Sequence, residues 1–474
     1  MSALAELYHR SGVSVTGSDT AETFYTDEVL QAAGISYTEG FSSENLPEEC
    51  DLLVYSAAYD PGEHPEIVAA KERGIPTLVY TKALGRFSRG RLSVGISGVH
   101  GKTTTTALAG TILDGVGLRG SVLAGSAVSD FGGSSVLVRG DALFLAETCE
   151  YRRHFLDFEP DVVVITNVEA DHLDYFADEQ DVLRAFLEYC RKLPPEGVLI
   201  YCAEDPGALE VAERLAGERE DIHYIGYRRE GEHRPLPGGS RSEEVRIIGE
   251  QGDVGRLHFG VDEVDAAFAL TVPGRHNVLN ATAAMIAVGV AGTFGSRESW
   301  RRFVNDHGET ITAALLSFSG SRRRSETIGE AGGIRIMDDY GHHPTEIATT
   351  LTGLREFYRP ERLIVDFMSH TYTRTARLMD RFAGAFAEAD IVLINDIYAS
   401  AREQFDGAVG GEDLAVAIGR EHPDVVYKGT HLEAANYLME ILRSGDLLVT
   451  VGAGDNWRIG LDVLQRLEEE SREK

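Results

Sequence analysis

Cysteine is scarce in this chain of 474 residues, which contains four: Cys50, Cys149, Cys190 and Cys202. They stand far apart and form no CxxC pair. A small disulfide framework and a zinc knuckle both need closely spaced cysteines, so neither is predicted. The spacing fits a protein that works in a reducing compartment.

Long hydrophobic runs are also missing. A membrane-spanning helix needs roughly 18 to 20 consecutive apolar residues, and no run approaches that length. The N-terminus has no basic region followed by an apolar stretch, which is the pattern of a secretion signal. We therefore expect a cytoplasmic protein with no membrane partner.

Positive charge is in deficit. The chain has 45 Lys and Arg against 76 Asp and Glu, a formal charge of -31 at pH 7. Such a surface repels nucleic acids and anionic membranes at long range, so no nucleic-acid partner is predicted. Any anionic ligand must meet a locally positive site.

The length and the alternation of apolar runs with helical stretches predict an α/β protein of three domains, spanning 1–91, 92–316 and 317–474. We expect 86–91 to be a polar connector and 228–260 to form loops and short hairpins. The predicted strands are 13–16, 52–55, 77–80, 92–96, 142–146, 161–166, 334–338, 363–367, 391–394 and 447–451.

The strongest local motif follows the strand 92–96 and reads GVHGKTT, from Gly98 to Thr104. Glycines such as Gly98 and Gly101 let backbone amides face phosphate oxygens. Lys102 can supply positive charge to the outer phosphates, and the hydroxyl of Thr103 can bind Mg²⁺. The pattern predicts a phosphate loop, although Ile96 stands where the common loop has its first glycine.

Two acidic motifs follow the next strands. Glu147, in ETCE, ends the strand 142–146, where a carboxylate can face a nucleotide crevice and bind metal. His172 lies in TNVEADHLD, after the strand 161–166. Mg²⁺ prefers oxygen ligands, so His172 taken alone is more typical of a core or capping histidine.

Further polar motifs lie later in the chain. Asn277 and Asn280, in GRHNVLNA, share one face of a helix and could contact a nucleotide, or could instead cap the helix and face solvent. The basic triplet 322–324 could reach a triphosphate or be a solvated linker. The motifs DDYGHHP (338–344) and SHTYTRT (369–375) end strands of the third domain and offer groups that can hold an amino acid.

The eight motifs GVHGKTTTT, ETCE, TNVEADHLD, GRHNVLNATAA, SGSRRRSE, DDYGHHPTE, SHTYTRT and GAGD occur in this order. With them the chain resembles the Mur ligases from Met1 to about Asp455. The resemblance implies a truncated Rossmann-like N-terminal domain for the UDP sugar, a central phosphate-loop ATPase domain with a mainly parallel sheet, and a Rossmann-like C-terminal domain that closes with the amino acid.

The resemblance also implies a reaction. The ligase would use ATP and Mg²⁺ to activate the carboxylate of UDP-N-acetylmuramate as an acyl phosphate, and would then join it to L-alanine for peptidoglycan synthesis. It would act as a monomer or a homodimer.

Residue roles follow from the same resemblance. ATP would meet Gly98, Gly101, Lys102, Thr103, Thr104, Asn277, Asn280, Arg323 and Asp339. Metal would be bound by Thr103, Glu147 and His172. Substrates would meet Asp19, Ser56, His100, Asn167, Tyr340, His342 and Arg374. The chemistry would fall to Lys102, His172, Asp339, His342 and Arg374.

Three features depart from the family pattern. The chain starts at MSALA, where relatives place a first strand and a glycine-rich turn before these residues, so we expect either a start site upstream or impaired UDP binding. No lysine lies between Asp171 and Cys190, so the carbamylated lysine of several relatives is not expected. Thr371 replaces an arginine of the usual PHRYTRT element, which makes the preference for an amino acid less clear.

Three other functions remain open. A ligase that attaches a recycled peptide to the same UDP sugar would share these motifs. A Mur-like protein without catalysis could bind nucleotide only, although it need not keep Lys102, Glu147, His172 and Asp339. An unrelated kinase or ATPase would leave the motifs of the third domain unexplained.

Overall fold

The computed structural model describes residues 1–22, 25–172, 175–231, 236–296, 298–399 and 409–473. The chain divides into two compact units. Unit 1 comprises Met1–Gly249, Phe259–Phe268 and Leu279–Phe318; unit 2 comprises Glu250–His258, Ala269–Val278 and Ser319–Lys474. None of the helices in the described ranges combines the length and the apolar character needed to cross a membrane.

Unit 1 begins with two small parallel sheets of two strands each. The strands are β1 (Gly17–Asp19), β2 (Tyr37–Glu39), β3 (Leu53–Tyr55) and β4 (Thr77–Val79). The helices are α1 (Ser2–Arg10), α2 (Tyr25–Ala32), α3 (Pro65–Glu72) and α4 (Tyr80–Ser88).

A sheet of ten strands follows, in the order β14-β13-β12-β11-β10-β9-β5-β8-β6-β7. Its strands are β5 (Leu92–Ser97), β6 (Gly120–Val128), β7 (Ser134–Val138), β8 (Leu143–Glu147), β9 (Val162–Ile165), β10 (Val198–Cys202), β11 (His223–Arg229), β12 (Ser242–Asp253), β13 (Arg256–Val261) and β14 (Ala267–Leu270). The accompanying helices are α5 (Lys102–Gly115), α6 (Glu179–Cys190), α7 (Pro206–Ala216), α8 (His276–Thr293), α9 (Trp300–Asp306) and α10 (Gly308–Ser317).

The middle of this sheet is parallel: β5 pairs with β8 and β9 in that sense. The strand β9 is fully buried and consists of Val162, Val163, Val164 and Ile165, as expected for a parallel strand covered on both faces. The carboxyl ends of β5, β8 and β9 therefore lie side by side at one edge of the sheet.

The sheet of unit 2 has six strands in the order β15-β16-β20-β17-β18-β19, all parallel except the β15–β16 pair. The strands are β15 (Glu326–Ala331), β16 (Ile334–Asp339), β17 (Arg362–Met368), β18 (Ile391–Ile394), β19 (Val425–Tyr427) and β20 (Asp446–Gly452). The helices are α11 (Pro344–Tyr358), α12 (Tyr372–Ala383), α13 (Gly411–Ile418), α14 (His431–Ile441) and α15 (Trp457–Glu473).

The structure confirms the predicted α/β class and the mainly parallel central sheet. Two local predictions were wrong. Residues 13–16 are not a strand, because Val13 still bonds back to Tyr8 at the end of α1 and pairing starts at Gly17. The first half of 86–91 is not a connector, because α4 runs to Ser88 and buries Phe87.

The prediction for 228–260 is confirmed in part: β12 and β13 are consecutive strands that pair in the sheet across the two residues Val254 and Gly255, as in a hairpin, but β12 is long and not short. Val245 and Ile247 face inward while their neighbours stay partly exposed, so the alternation that marks a strand is present but weak. Residues 232–235 lie outside the described ranges. The predicted domain limits at 91 and 316 remain a prediction.

Candidate active site

The GVHGKTT segment forms a tight turn between β5 and α5. Gly101 is the residue that precedes the helix and has a left-handed backbone, with φ of 80°. A Cβ atom on Gly101 would lie 2.6 Å from Oδ1 of Asn280, and one on Gly98 would lie 2.0 Å from Oγ1 of Thr166. Both positions therefore require glycine, and the first amides of α5 point toward the turn.

Lys102 starts α5, and its side chain folds over this turn. Its ammonium donates to the carbonyls of Gly98 and Val99, and lies 2.9 Å from Oε2 of Glu150. Burial is the largest single effect and lowers the pKa of Lys102, but the charges of Glu150, Cys149 and Glu147 together with the hydrogen bond to Glu150 raise that pKa above its ordinary value. Lys102 thus stays charged at the mouth of the turn.

Glu150 is the carboxylate at the centre of this cluster. Burial is the largest single effect and raises its pKa, but Lys102 and His172 together lower it by more, so the net pKa of Glu150 is lowered and the group is ionised. Its Oε1 atom lies 3.5 Å from Nε2 of His172, at the outer limit of a hydrogen bond. That atom is buried and accepts no other hydrogen bond within the described part of the chain.

Glu147, the carboxylate predicted to bind metal, occupies a different place. The Glu147 carboxylate lies against Gly125: a Cβ atom on that glycine would lie 2.3 Å from Oε2 of Glu147. The Glu147 side chain lines a cavity of about 310 Å³. The structure brings Lys102, Glu150 and His172 together, whereas Glu147 faces the cavity. The assignment of Glu147 to the metal stays a prediction.

The segment after β9 supports the turn from the other side. Asn167 accepts from the amide of His100 at 2.8 Å and donates to the carbonyl of His100 at 2.9 Å. Thr166 donates to the same carbonyl at 2.5 Å, and the His100 ring pairs with Glu169. Asn167 and Thr166 therefore hold the loop backbone in place. Leu173 and Asp174, the last residues of the TNVEADHLD motif, lie outside the described ranges.

The two predicted nucleotide asparagines are both buried in α8. Asn280 lies against Gly101, as the glycine geometry shows, whereas Asn277 donates to the carbonyl of Pro273 at 2.7 Å. Thr103 is buried in the first turn of α5, and Thr104 is partly exposed. Asn280, Thr103 and Thr104 thus lie at or next to the turn.

The 310 Å³ cavity in unit 1 is bounded by the start of α1, by Tyr80 of α4 and by the end of β8 at Glu147, Thr148 and Cys149. Asp19 ends β1, and Ser56 follows β3, so both stand at carboxyl ends of parallel strands. Neither lines the cavity. Their contact with the UDP sugar remains a prediction.

In unit 2, the guanidinium of Arg323 forms hydrogen bonds with other residues of the same unit. Its Nε donates to Oδ2 of Asp338 at 2.8 Å, and its terminal nitrogens donate to the carbonyls of Gly452 and Gly454 at 2.6 and 2.9 Å. Asp338 is 1% exposed. The contact with ATP predicted for Arg323 is untested, but its guanidinium already fixes the ends of β16 and β20.

Asp339 has a similar internal role. Its carboxylate accepts from the amides of Ser325 and Gly341, both at 2.7 Å. Burial has the largest effect on the pKa of Asp339 and raises it. The charge of Arg324 lowers this pKa by less, so the net pKa is above its ordinary value. The guanidinium of Arg324 lies 3.6 Å from Glu346, and the Arg324 side chain is 31% exposed. The sequence did not single out Arg324 within its triplet.

The remaining predicted residues cluster in unit 2, after β16 and β17. The rings of Tyr340 and His342 have centroids 5.4 Å apart, and those of His342 and His370 are 5.9 Å apart. The guanidinium of Arg374 lies 3.2 Å from Nδ1 of His370. His370 thus links Tyr340 and His342 to Arg374, although sequence analysis gave it no role.

Two residues missed by sequence analysis, Glu150 and His370, both lie inside motifs that it quoted. Glu150 sits three residues beyond Glu147, in the turn after β8. Nothing local distinguishes the two carboxylates, because the choice depends on how the chain turns after the strand. His370 could have been found from its position two residues beyond the end of β17, at the ligand-binding edge of a parallel sheet.

A parallel sheet with a glycine turn, Lys102 at a helix start and carboxylate and imidazole groups on the adjacent strand ends defines an α/β nucleotide-binding enzyme of the phosphate-loop kind. The chain belongs to the Mur ligase family. Residues 1–91 match the Mur ligase family catalytic domain, 96–288 the Mur ligase middle domain, and 323–454 the Mur ligase glutamate ligase domain. The resemblance drawn from the eight motifs is confirmed.

Individual relatives match over nearly the full length. The chain is 44% identical over 471 residues to UDP-N-acetylmuramate--L-alanine ligase of Treponema pallidum, which covers 99% of this chain and 95% of that protein. It is 36% identical to the enzyme of the same name from Borrelia garinii, over 96% of this chain and 94% of that protein. The solved UDP-N-acetylmuramate-alanine ligase MurC of Thermotoga maritima has a TM-score of 0.74 at 22% identity, over 99% and 97% of the two chains.

Proposed function

We propose that this chain is an ATP-dependent ligase that joins L-alanine to the carboxylate of UDP-N-acetylmuramate in peptidoglycan synthesis. The observation that carries the proposal is the 44% identity over 471 residues to a ligase of that name. An identity spread over both units makes a shared substrate pair the simplest account. The phosphate loop and the Lys102–Glu150–His172 cluster supply chemistry that suits this reaction.

The residues at the turn fit ATP with Mg²⁺. The left-handed Gly101 leaves the first amides of α5 available to phosphate oxygens, and Lys102 supplies a positive charge beside them. The buried Oε1 of Glu150, with no full hydrogen bond, is an acceptor that a cation would satisfy. We propose Glu150, His172 and Thr103 as the groups that would hold Mg²⁺, which would neutralise phosphate charge.

The reaction then follows from charge and geometry. An oxygen of the muramoyl carboxylate attacks the γ-phosphorus of ATP, the bond to the β–γ bridging oxygen breaks, and ADP leaves. Lys102 holds positive charge where negative charge builds up on the transferring group. The neutral amine of L-alanine next attacks the acyl carbon, the bond from that carbon to the phosphate oxygen breaks, inorganic phosphate leaves with the bonding electrons, and the nitrogen loses one proton to solvent or to the departing phosphate.

Other parts of the chain take roles in this proposal. Residues 1–91 would bind the UDP sugar through Asp19 and Ser56, and the cavity beside Glu147 is a suitable place for part of that substrate. The Tyr340, His342 and Arg374 cluster would bind L-alanine, because a guanidinium pairs with an α-carboxylate through two parallel hydrogen bonds. The first assignment rests on the position of Asp19 and Ser56 at strand ends, and the second rests on the grouping of side chains after β16 and β17.

An ADP-release assay tests the proposal. The protein is given ATP, Mg²⁺ and UDP-N-acetylmuramate with L-alanine, glycine, L-serine or L-alanyl-γ-D-glutamyl-diaminopimelate in separate reactions. Strong stimulation by L-alanine is expected, with none in Lys102→Ala. Preference for the tripeptide would instead indicate the peptide-recycling reaction. ADP release that ignores all four amines would contradict a ligase.

A further inference from the structure

The turn that carries Glu150 has an unusual backbone. The two residues Arg152 and Arg153 both adopt left-handed conformations, with φ of 51° and 58°. This conformation is unfavourable for residues with a side chain, and such strain persists only where neighbouring contacts impose it. His172, on the adjacent loop, is left-handed as well, with φ of 52°.

Arg153 makes the contacts that can impose the turn. Its guanidinium donates to Oδ1 of Asp181 at 2.8 Å and to Oε2 of Glu188 at 2.9 Å, so it joins the turn to two positions on α6. It also lies over the ring of Phe176, 5.9 Å from the ring centroid. The Arg153 and Asp181 side chains are 27% and 20% exposed, so this ion pair is shielded from solvent better than surface pairs are, whereas Glu188 is exposed.

The same contacts lead to both groups that face Lys102. The backbone amide of Arg153 donates to the carbonyl of Glu150 at 2.8 Å, which closes the turn at that residue. Phe176, under the guanidinium, donates its amide to the carbonyl of His172 at 2.9 Å. One side chain therefore contacts the segment of Glu150 and the segment of His172.

We propose that Arg153 is a positioning residue: by fastening the Glu150 turn and the His172 loop to α6, it sets the Glu150 carboxylate and the His172 imidazole at the phosphate loop. The proposal rests on the proposed function, in which these two groups would hold Mg²⁺. Arg153 itself touches neither substrate nor metal. Groups that orient metal ligands commonly account for 10- to 100-fold in metal affinity or activity.

Arg152 provides a matched control. It shares the left-handed backbone, but its side chain is exposed, lies over the Tyr151 ring and forms no ion pair with the described residues. Arg152→Gly and Arg153→Gly each relieve the same backbone strain. Only Arg153→Gly removes the contacts to α6, so a difference between the two variants isolates the guanidinium from the backbone.

The test measures Mn²⁺ binding in the presence of ADP by electron paramagnetic resonance, at a temperature at which circular dichroism shows every variant to be folded. We expect Arg153→Gly to raise the Kd for Mn²⁺ about tenfold or more, with a matching loss of kcat and little change in the KM for L-alanine. Arg152→Gly should stay within about twofold of the wild type, and Arg153→Lys should recover part of the loss.

Wild-type Mn²⁺ affinity in folded Arg153→Gly would overturn the proposal, and so would equal losses in both glycine variants. Because Mn²⁺ binding does not require ligation, this comparison holds even if L-alanine fails to stimulate the wild-type enzyme. That failure would count against the proposed function alone.

Discussion

Glu150 and Lys102 form the buried ion pair on which the candidate site is centred: Oε2 of the carboxylate lies 2.9 Å from Nζ of the lysine. The other carboxylate oxygen is 3.5 Å from the His172 imidazole. Glu150 thus connects the charge on the phosphate loop with the group on the neighbouring strand end. Removal of the Glu150 carboxylate should therefore affect both Lys102 and His172.

The two carboxylates of the ETCE motif should differ sharply. Glu150→Gln keeps the shape of the side chain but removes the charge that faces Lys102 and His172, so we expect kcat to fall about 10²- to 10³-fold. Glu147→Gln, the matched change three residues earlier, should alter the KM for UDP-N-acetylmuramate more than kcat, because Glu147 lines the cavity. Steady-state kinetics on both variants decides; a larger loss of kcat in Glu147→Gln would reverse the assignment.

Within the triplet 322–324, we expect Arg323 to contribute mainly to stability and Arg324 mainly to activity. Arg323→Ala leaves the buried Asp338 without its cation, and we expect the free energy of unfolding to fall by about 3 to 5 kcal/mol. Arg324→Ala removes a partly exposed contact with Glu346, a contact with the Tyr340 ring and a charge that favours the Asp339 carboxylate, and we expect a smaller loss than in Arg323→Ala. Urea unfolding followed by circular dichroism gives both values.

The same pair of variants tests nucleotide contact. Because the Arg324 side chain is more exposed than that of Arg323, we expect Arg324→Ala to reduce kcat/KM for ATP at least tenfold while the protein stays folded. Unchanged ATP kinetics in Arg324→Ala, with a loss in a folded Arg323→Lys variant, would restore the nucleotide role first predicted for Arg323.

Asp366 should make the stability of unit 2 depend on pH. It is fully buried and accepts from Asn395 at 3.0 Å and Asn456 at 3.4 Å, and burial raises its pKa from the ordinary 3.8 to about 7. The folded protein holds this proton more tightly than the unfolded chain does. Its stabilising contribution is therefore complete below pH 3.8 and is lost as the pH rises to about 7.

Asp366→Asn removes that titration while keeping a side chain of the same shape. Thermal unfolding at pH 5 and pH 8 should show a larger fall in Tm between the two values for the wild type than for the variant. Equal falls in the two proteins would show that Asp366 is ionised in the folded state throughout this range.

Replacing Arg374 should change the KM for L-alanine and little else. Loss of a guanidinium that pairs with a carboxylate costs about 1.5 to 3 kcal/mol, so Arg374→Ala should raise the KM for L-alanine by about 10- to 100-fold. Arg377, one turn further along α12 and exposed, is the matched control. A KM for L-alanine that stays the same in Arg374→Ala would remove this residue from the amino-acid site.

The parts that the sequence predicted well are local. The strand, the glycine turn and Lys102 lie within eleven residues of one another, and their spacing alone indicates a phosphate loop. Four of the five parallel strands of unit 2, all except β19, were found because their apolar runs are continuous and bounded by polar turns. These patterns need no knowledge of distant contacts.

The parts that it missed depend on distant partners. Glu150, and not Glu147, reaches Lys102 because the chain turns through two left-handed arginines, a conformation that arginine does not signal. That turn is held by Asp181 and Glu188, about 30 residues further on. Likewise, the contacts of Arg323 with Asp338, Gly452 and Gly454 exist only in the folded sheet.

The most direct test of the account follows oxygen atoms. UDP-N-acetylmuramate labelled with ¹⁸O in both oxygens of its muramoyl carboxylate is incubated with the protein, ATP, Mg²⁺ and L-alanine. The masses of the products are then measured by mass spectrometry. We predict one ¹⁸O in each inorganic phosphate released, together with one new L-alanyl amide, because the carboxylate oxygen passes to phosphorus in the acyl phosphate. Unlabelled phosphate, or ADP without the amide, would contradict the proposed ligase.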